Sequence, residues 1–535
     1  MTDVPALVDT YLGVHAHLRP VDATFMGLPG HDHRLPGAGP DALTEEAAAL
    51  GHLRRELERA TPPATDANRL DARLLRAALR HLLAELERAP RYTNPAWYSG
   101  ETVFGVVSLL LPRPGVEAAE TRASLLARLH DVPRFLAEGR TQLRHARPHP
   151  DLVTRAALEC RAFARLMDDL PLHPQLTGPD PMLHAAAAEA ARAALSFADG
   201  LRAAEGVSVA CGEAHLNFLM REVHGLDLGP REALERAEAA FQTLTEELES
   251  EAHARFGTPW REVQARLDAD IPEDAPATYR HWHERAMGAA EAAGLVTPTT
   301  YGLDFQPMPE WARSVAGDTY FLFYRSPAAL RAGTGSVYWM PHGPASVSTI
   351  KLVHAVHHGS IGHHTQNAHA RVAPARLARL GGTDCASGLA LLSAGTMVEG
   401  WACYAEDLLA EAQGFYTPEE ELLLTSFTRR NAGCCIADIK LHLGEWTLDD
   451  MRAFYKGEVG FAPSRLWTET TRNAMLPATR LMYWLGTEKI RAMRAASPLS
   501  TRDFHDRLLA HGHAPLGWVD DLQRSAVRDQ PSARP

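Results

Sequence analysis

Apolar residues recur at intervals of three and four along most of the chain. Runs rich in Ala, Leu, Glu and Arg, such as 45–60 and 71–88, combine strong helix formers with that spacing and predict amphipathic helices. Proline and glycine punctuate the pattern at 171–181, 270–276 and 297–298, where loops are expected. Helix starts are legible at Thr417 and Ser500, each a hydroxyl followed three positions later by an acid, Glu420 and Asp503, the arrangement that caps free amides. One region departs from this periodicity: 318–324 and 336–340 are aromatic and β-branched, and the glycine-containing stretch 332–335 separates them. These read as a small antiparallel hairpin or sheet in an otherwise mostly α, multi-helix chain.

With 535 residues the chain is long enough for several domain-sized units. The break at 297–298 suggests an N-terminal helical region, 1–295, and a C-terminal region, 296–535, packed separately or as one body. The stretch 525–535 has little to bury and is expected to fray. Lys and Arg number 54 against 66 Asp and Glu, a net charge of −12, which offers no basic footprint for nucleic acid or an anionic membrane. The first residues lack the basic and apolar segments of a secretory signal, and the uncharged stretch 385–398 is too short to span a bilayer. Six cysteines without a CxxC pair form neither a disulfide framework nor a zinc knuckle, so all six are read as small buried hydrophobes in a cytoplasmic protein.

Candidate chemistry concentrates just after the hairpin. Seven of the 27 histidines fall between His342 and His369, and imidazole both ligates metals and titrates near neutrality. His354 and His358 share a helical face. His357 and His363 would lie about 9 Å apart along a continuous helix, too far for one ion, so joint ligation requires a break. Ser360-Ile361-Gly362 can supply it. Farther on, Glu399, Cys403 and Glu406 stand at i, i+4 and i+7, which places two carboxylates on one stripe of a helix that the uncharged stretch before it marks as buried.

The two segments, HHGSIGHHTQ (357–366) and EGWACYAE (399–406), resemble the paired signature HExxPGHHxQ and EGWAxYxE of the bacterial family known as domain of unknown function 885, grouped with gluzincin-type zinc metallopeptidases. Further similar features are Arg430 with Asp438 and His442, Tyr483 within 477–486, and Phe504-His505-Asp506 with Gly512. The resemblance implies a metallopeptidase-like helical fold with a small sheet beside an active-site cleft. It also implies a zinc ion held by His357, His363 and Glu399, with His364 able to exchange roles with His363 and Glu406 orienting a ligand.

The sequence departs from that signature at two positions: His358 stands where the pattern has its general-base glutamate, and Ile361 where it has proline. His358 is then a neutral imidazole base, an additional ligand with His354 beside it, or a structural residue of a degenerate site. Tyr483 is a candidate to stabilise an oxyanion, and Arg430 and Tyr338 are assigned to substrate. Asp438 and His442, four apart, are candidates to support the site. His281-Trp282-His283-Glu284 alternates across helix faces and is read as surface or packing. No nucleophile elbow, Walker loop or dinucleotide fingerprint is present. The expectation is a zinc-dependent hydrolase acting on an amide or peptide bond of a small molecule or short peptide. The alternatives are a non-hydrolytic metal enzyme and a binding protein that has lost its chemistry.

Overall fold

The computed structural model describes residues 3–317, 323–333, 335–380 and 394–528. The fold is mostly helical with one small sheet. The periodic run 45–60 falls in the helix Pro40–Glu58 and the run 71–88 in Asp66–Arg88. Both anticipated caps are present: Thr417 and Glu420 form a reciprocal capping box on Pro418–Leu443, and the Ser500 side chain accepts from the Asp503 amide at the start of Thr501–Leu509. The final helix, Leu516–Arg528, continues through the first part of the segment expected to fray, and the rest of that tail lies outside the described residues. Among the described residues no helix is long and apolar enough to cross a membrane.

The sheet differs from expectation. Strands β1 (Gly302–Pro307), β2 (Tyr324–Arg325) and β3 (Gly335–Met340) form a mixed sheet in the order β1-β3-β2 rather than a simple antiparallel hairpin. Most of the anticipated first strand, 318–322, lies outside the described residues, as does Thr334 in the expected turn. β1 escaped notice because only Phe305 of its six residues is buried, so it carries no alternation to read.

The chain divides into two compact units. The first comprises 3–208 and the described part of 307–335. Its core includes the helix Pro95–Leu110, buried along almost its whole length, with Trp97 and Tyr98 packed on Phe135. The second comprises 209–306, the remainder of β3 with the segment to 380, and 394–528. It contains Pro418–Leu443 and the crossing of Gly395–Leu408 with Leu481–Ala495. There Gly400 and Gly486 meet: a Cβ on Gly400 would lie 2.6 Å from Gly486 Cα, and one on Gly486 only 2.3 Å from the Thr396 carbonyl oxygen. Two absent side chains allow the backbones to touch. Of the cysteines, Cys160, Cys403, Cys434 and Cys435 are buried, Cys211 is half-buried and all five are unbridged; Cys385 lies outside the described residues.

Candidate metal centre

The histidine-bearing helix, Thr349–His358, is wound as a π-helix, and the Gly359 amide caps it on the His354 carbonyl. Such wide turns often occur at functional sites. The chain then folds back, as the spacing argument required, through unusual dihedrals at Ser360, with φ 24°, and at Gly362, with φ −75° and ψ −129°. Three bonds hold Ser360. Its hydroxyl donates to the Ala355 carbonyl, its amide donates to His283 Nδ1, and its carbonyl accepts from Thr365 Oγ1. Gly362 also serves a close approach: a Cβ there would sit 2.0 Å from the His357 carbonyl oxygen and 2.3 Å from that of Val356. The fold-back brings the His357 and His363 rings to 4.9 Å, nearly perpendicular.

Glu399 enters from the helix Gly395–Leu408. Its Oε2 lies 3.9 Å from His357 Nε2 and 3.7 Å from His363 Nε2. The far side of each ring is engaged. His357 Nδ1 meets Glu406 Oε1 at 2.7 Å, and His363 Nδ1 faces Gln366 Oε1 at 3.3 Å, while the Gln366 amide donates to the Met397 carbonyl. With both Nδ1 protons so directed, each Nε2 presents a lone pair toward a carboxylate oxygen. Three electron-pair donors converge, an arrangement that repels itself unless a cation stands among them. Two ligands on one zinc with bonds of about 2.1 Å at tetrahedral angles lie about 3.4 Å apart, so these separations suit a divalent ion, and the backing hydrogen bonds are those that orient metal-bound imidazoles. The Glu399 carboxyl is ionised. Burial would raise its pKa, but Arg472 and the His363 and His357 rings in their protonated form, the proton standing where a bound cation would, outweigh burial and take it down to about 2.

His358 adjoins this set, its ring 4.8 Å from that of His357 and 5.7 Å from that of His363, and ring nitrogens of all three lie within 4.8 Å of one another. Burial, then the neighbouring imidazoles, hold it well below the usual histidine pKa, so it is neutral. Tyr338, fully buried on β3, packs its ring against His358 at 6.0 Å and His354 at 5.5 Å, and its hydroxyl has no partner among the described residues. His354 Nδ1 bonds Tyr279 Oη at 2.5 Å. His364 turns elsewhere: its Nε2 meets the Tyr301 carbonyl at 2.7 Å, and burial takes its pKa to about 4.

The remaining candidates have structural engagements of their own. Asp438 Oδ2 accepts the Arg480 and Leu481 amides where Leu481–Ala495 begins, and burial raises its pKa to about 7 against those bonds. His442 Nε2 meets the Asn473 carbonyl at 2.9 Å. Tyr483 sits in the first turn of Leu481–Ala495 with the Arg480 guanidinium 5.1 Å from its ring centre. Arg430 stacks on Phe427, and burial lowers its pKa while the Glu406 charge opposes that.

Several contributors were given no role from sequence. Trp401 Nε1 donates to the Ile361 carbonyl at 2.9 Å, tying the glutamate-bearing helix to the histidine fold-back. Tyr404 Oη meets His505 Nε2 at 3.0 Å, and His505 Nδ1 meets the Leu295 carbonyl. His283, read as surface or packing, packs on Phe305 and supports Ser360. Trp401 and Tyr404 are signalled by their places in the second motif, whereas His283 and His505 are brought to the site only by the fold. His513 is 1% exposed with neither ring nitrogen partnered among the described residues, and burial above all takes its pKa to about 3.

Two solved structures share this fold over nearly the whole chain. One, titled a "putative lipoprotein of unknown function" from Shewanella oneidensis, is 17% identical with TM-score 0.77 and covers 98% of this chain and 100% of its own. The other, titled a "putative lipoprotein" from Colwellia psychrerythraea, is 13% identical with TM-score 0.73 and covers 99% and 100%. No curated protein matches. A family model, described as bacterial protein of unknown function (DUF885), matches residues 20–522, and the chain belongs to that family.

Proposed function

We propose that this protein is a metal-dependent, gluzincin-like hydrolase that cleaves an amide or peptide bond in a small substrate, with Zn2+ held by His357, His363 and Glu399. The observation that carries this reading is the convergence of two imidazole lone pairs and one ionised carboxylate, with each imidazole braced from behind by Glu406 or Gln366. Zinc, when bound, supplies a Lewis acid for the substrate carbonyl and makes water a nucleophile at neutral pH. The chain supplies the rest. His358, neutral and beside the donor set, takes the proton from the attacking water and passes it to the leaving amine. Tyr483 is assigned to the developing negative charge, and Arg430 with Tyr338 to the substrate.

Elemental analysis of protein purified without added metal or a metal-affinity tag tests this reading. About one zinc per chain, lost in His357→Ala and in Glu399→Ala, is expected; a chain without stoichiometric metal would leave a binding protein as the better account. A second reading draws on the proximity of ring nitrogens from His357, His358 and His363. A nitrogen-rich set suits iron or copper and a non-hydrolytic reaction, and either metal in the analysis would favour it. His358→Glu separates the two, because a gain of peptidase activity requires a hydrolase frame.

A further inference from the structure

A cleft of about 410 Å³ lies against the histidine-bearing helix, lined by the 341–346 loop, Thr349 and His354, and by Asp268 and Ile271. Its size falls within the range of small-ligand pockets. Hydrogen bonds join its walls. The Val347 amide donates to the Asp270 carbonyl at 2.8 Å, Ser348 Oγ donates to the Leu267 carbonyl, and Ser346 Oγ accepts from the Thr349 amide. The loop beyond β3 is thus fastened to the end of the helix Trp260–Ala269. One side chain links cleft and metal centre: His354 lines the cleft, stands one turn before His358 and shares with it the ring of Tyr338. Tyr279 occupies His354 Nδ1, which leaves Nε2 as the nitrogen for a ligand.

The lining specifies what the cleft accepts. Asp268 is the only formally charged residue among those lining it and no lysine or arginine is among them; the Gln264 side chain hydrogen-bonds its carboxylate, which is in no ion pair among the described residues. Pro341, Pro344 and Ile271 add apolar surface, and Ile271 is 47% exposed. A carboxylate without a cationic partner beside apolar walls complements a cationic amine on a short hydrocarbon stem. We propose that this cleft receives the end of the substrate remote from the scissile bond, and that this end carries a cationic amine. The inference rests on the hydrolase reading and names the substrate class: amides or short peptides with an amino group several bonds from the carbonyl.

The experiment uses zinc-loaded full-length protein and two series of hydroxamates of two to six carbons, one with a terminal amine and one without, titrated by calorimetry. The hydroxamate engages the metal, and chain length locates the amine. At the best length the amino compound is expected to bind about tenfold tighter, a single charge-assisted contact. In Asp268→Asn that advantage should vanish while the plain hydroxamate keeps its affinity. Equal binding of the two series at every length, or an advantage that survives Asp268→Asn, would overturn the inference and leave the metal centre standing. Failure of both series to bind would overturn the hydrolase reading and, with it, the assignment of the cleft to its substrate. Metal-stripped protein then isolates the cleft: n-butylammonium binding that Asp268→Asn abolishes, with none for n-butyrate, supports an amine site, and its absence refutes one.

Discussion

Glu406 touches the metal donors only through His357, yet its 2.7 Å contact decides which nitrogen of that ring keeps its lone pair. In Glu406→Gln the acceptor is weaker and its amide can rotate to present a donor instead. Zinc affinity measured by chelator competition should fall about 10- to 100-fold, with little change in the circular dichroism of the chain. A second residue, in the first unit, predicts a pH effect unrelated to the metal. Glu101 is 4% exposed, and burial followed by the neighbouring Asp22 charge raises its pKa to about 8, against Arg19, Arg91 and Arg128. The folded chain therefore holds this proton more tightly than the unfolded chain, where a glutamate titrates near 4.3. Stability from this group is complete below about pH 4, falls as pH rises toward about 8, and is level above that. Glu101→Gln cannot ionise, so it should match wild type in urea unfolding at pH 4. By pH 9 it should exceed wild type by several kcal/mol; a gap independent of pH would refute a proton on Glu101.

Among the elements, the crossing of Gly395–Leu408 with Leu481–Ala495 sets where Glu399 stands. Gly486→Ala forces a methyl toward the Thr396 carbonyl and should cost about 1–3 kcal/mol, with a loss of zinc affinity as Glu399 moves. Gly288→Ala is the control: it lies inside the helix Ala275–Ala292 with nothing within 4 Å of the added methyl, and should stabilise by about 0.5–1 kcal/mol. The same two kinds of element show what can be read from sequence. The i, i+7 spacing of Glu399 and Glu406 sufficed to put both carboxylates on one helix stripe, and the rise per residue sufficed to require a break between His357 and His363. Both are local geometry. The π winding of Thr349–His358, the positive φ of Ser360, the edge position of β1 and the bond from Trp401 to the Ile361 carbonyl depend on partners about 30 or more residues away or on competition between hydrogen bonds, which periodicity does not encode. The orientation of His364 toward Tyr301 likewise became readable only once the neighbouring loop was placed.

At the scale of the whole molecule, every donor of the proposed centre comes from the second unit, two from the fold-back at 357–363 and one from Gly395–Leu408. Zinc binding should therefore stabilise these segments first. A ligand bound only by the folded form adds about 2.7 kcal/mol at a hundredfold excess over its dissociation constant, but amide exchange records that gain only where the protecting structure opens with loss of the site. Hydrogen exchange with and without zinc should show slower exchange at 349–366 and 395–408, where the donors and their hydrogen-bonded supports lie. The helices of the first unit, including the buried Pro95–Leu110, should exchange at the same rates in both states. Glu399→Ala should erase the difference at 349–366 although the substitution lies in the other segment, because a centre built from two segments protects neither once a donor is lost. Zinc-dependent protection that persists in Glu399→Ala, or appears only at 349–366, would mean that the histidines hold the ion without the glutamate and that the nitrogen-rich alternative describes the site better.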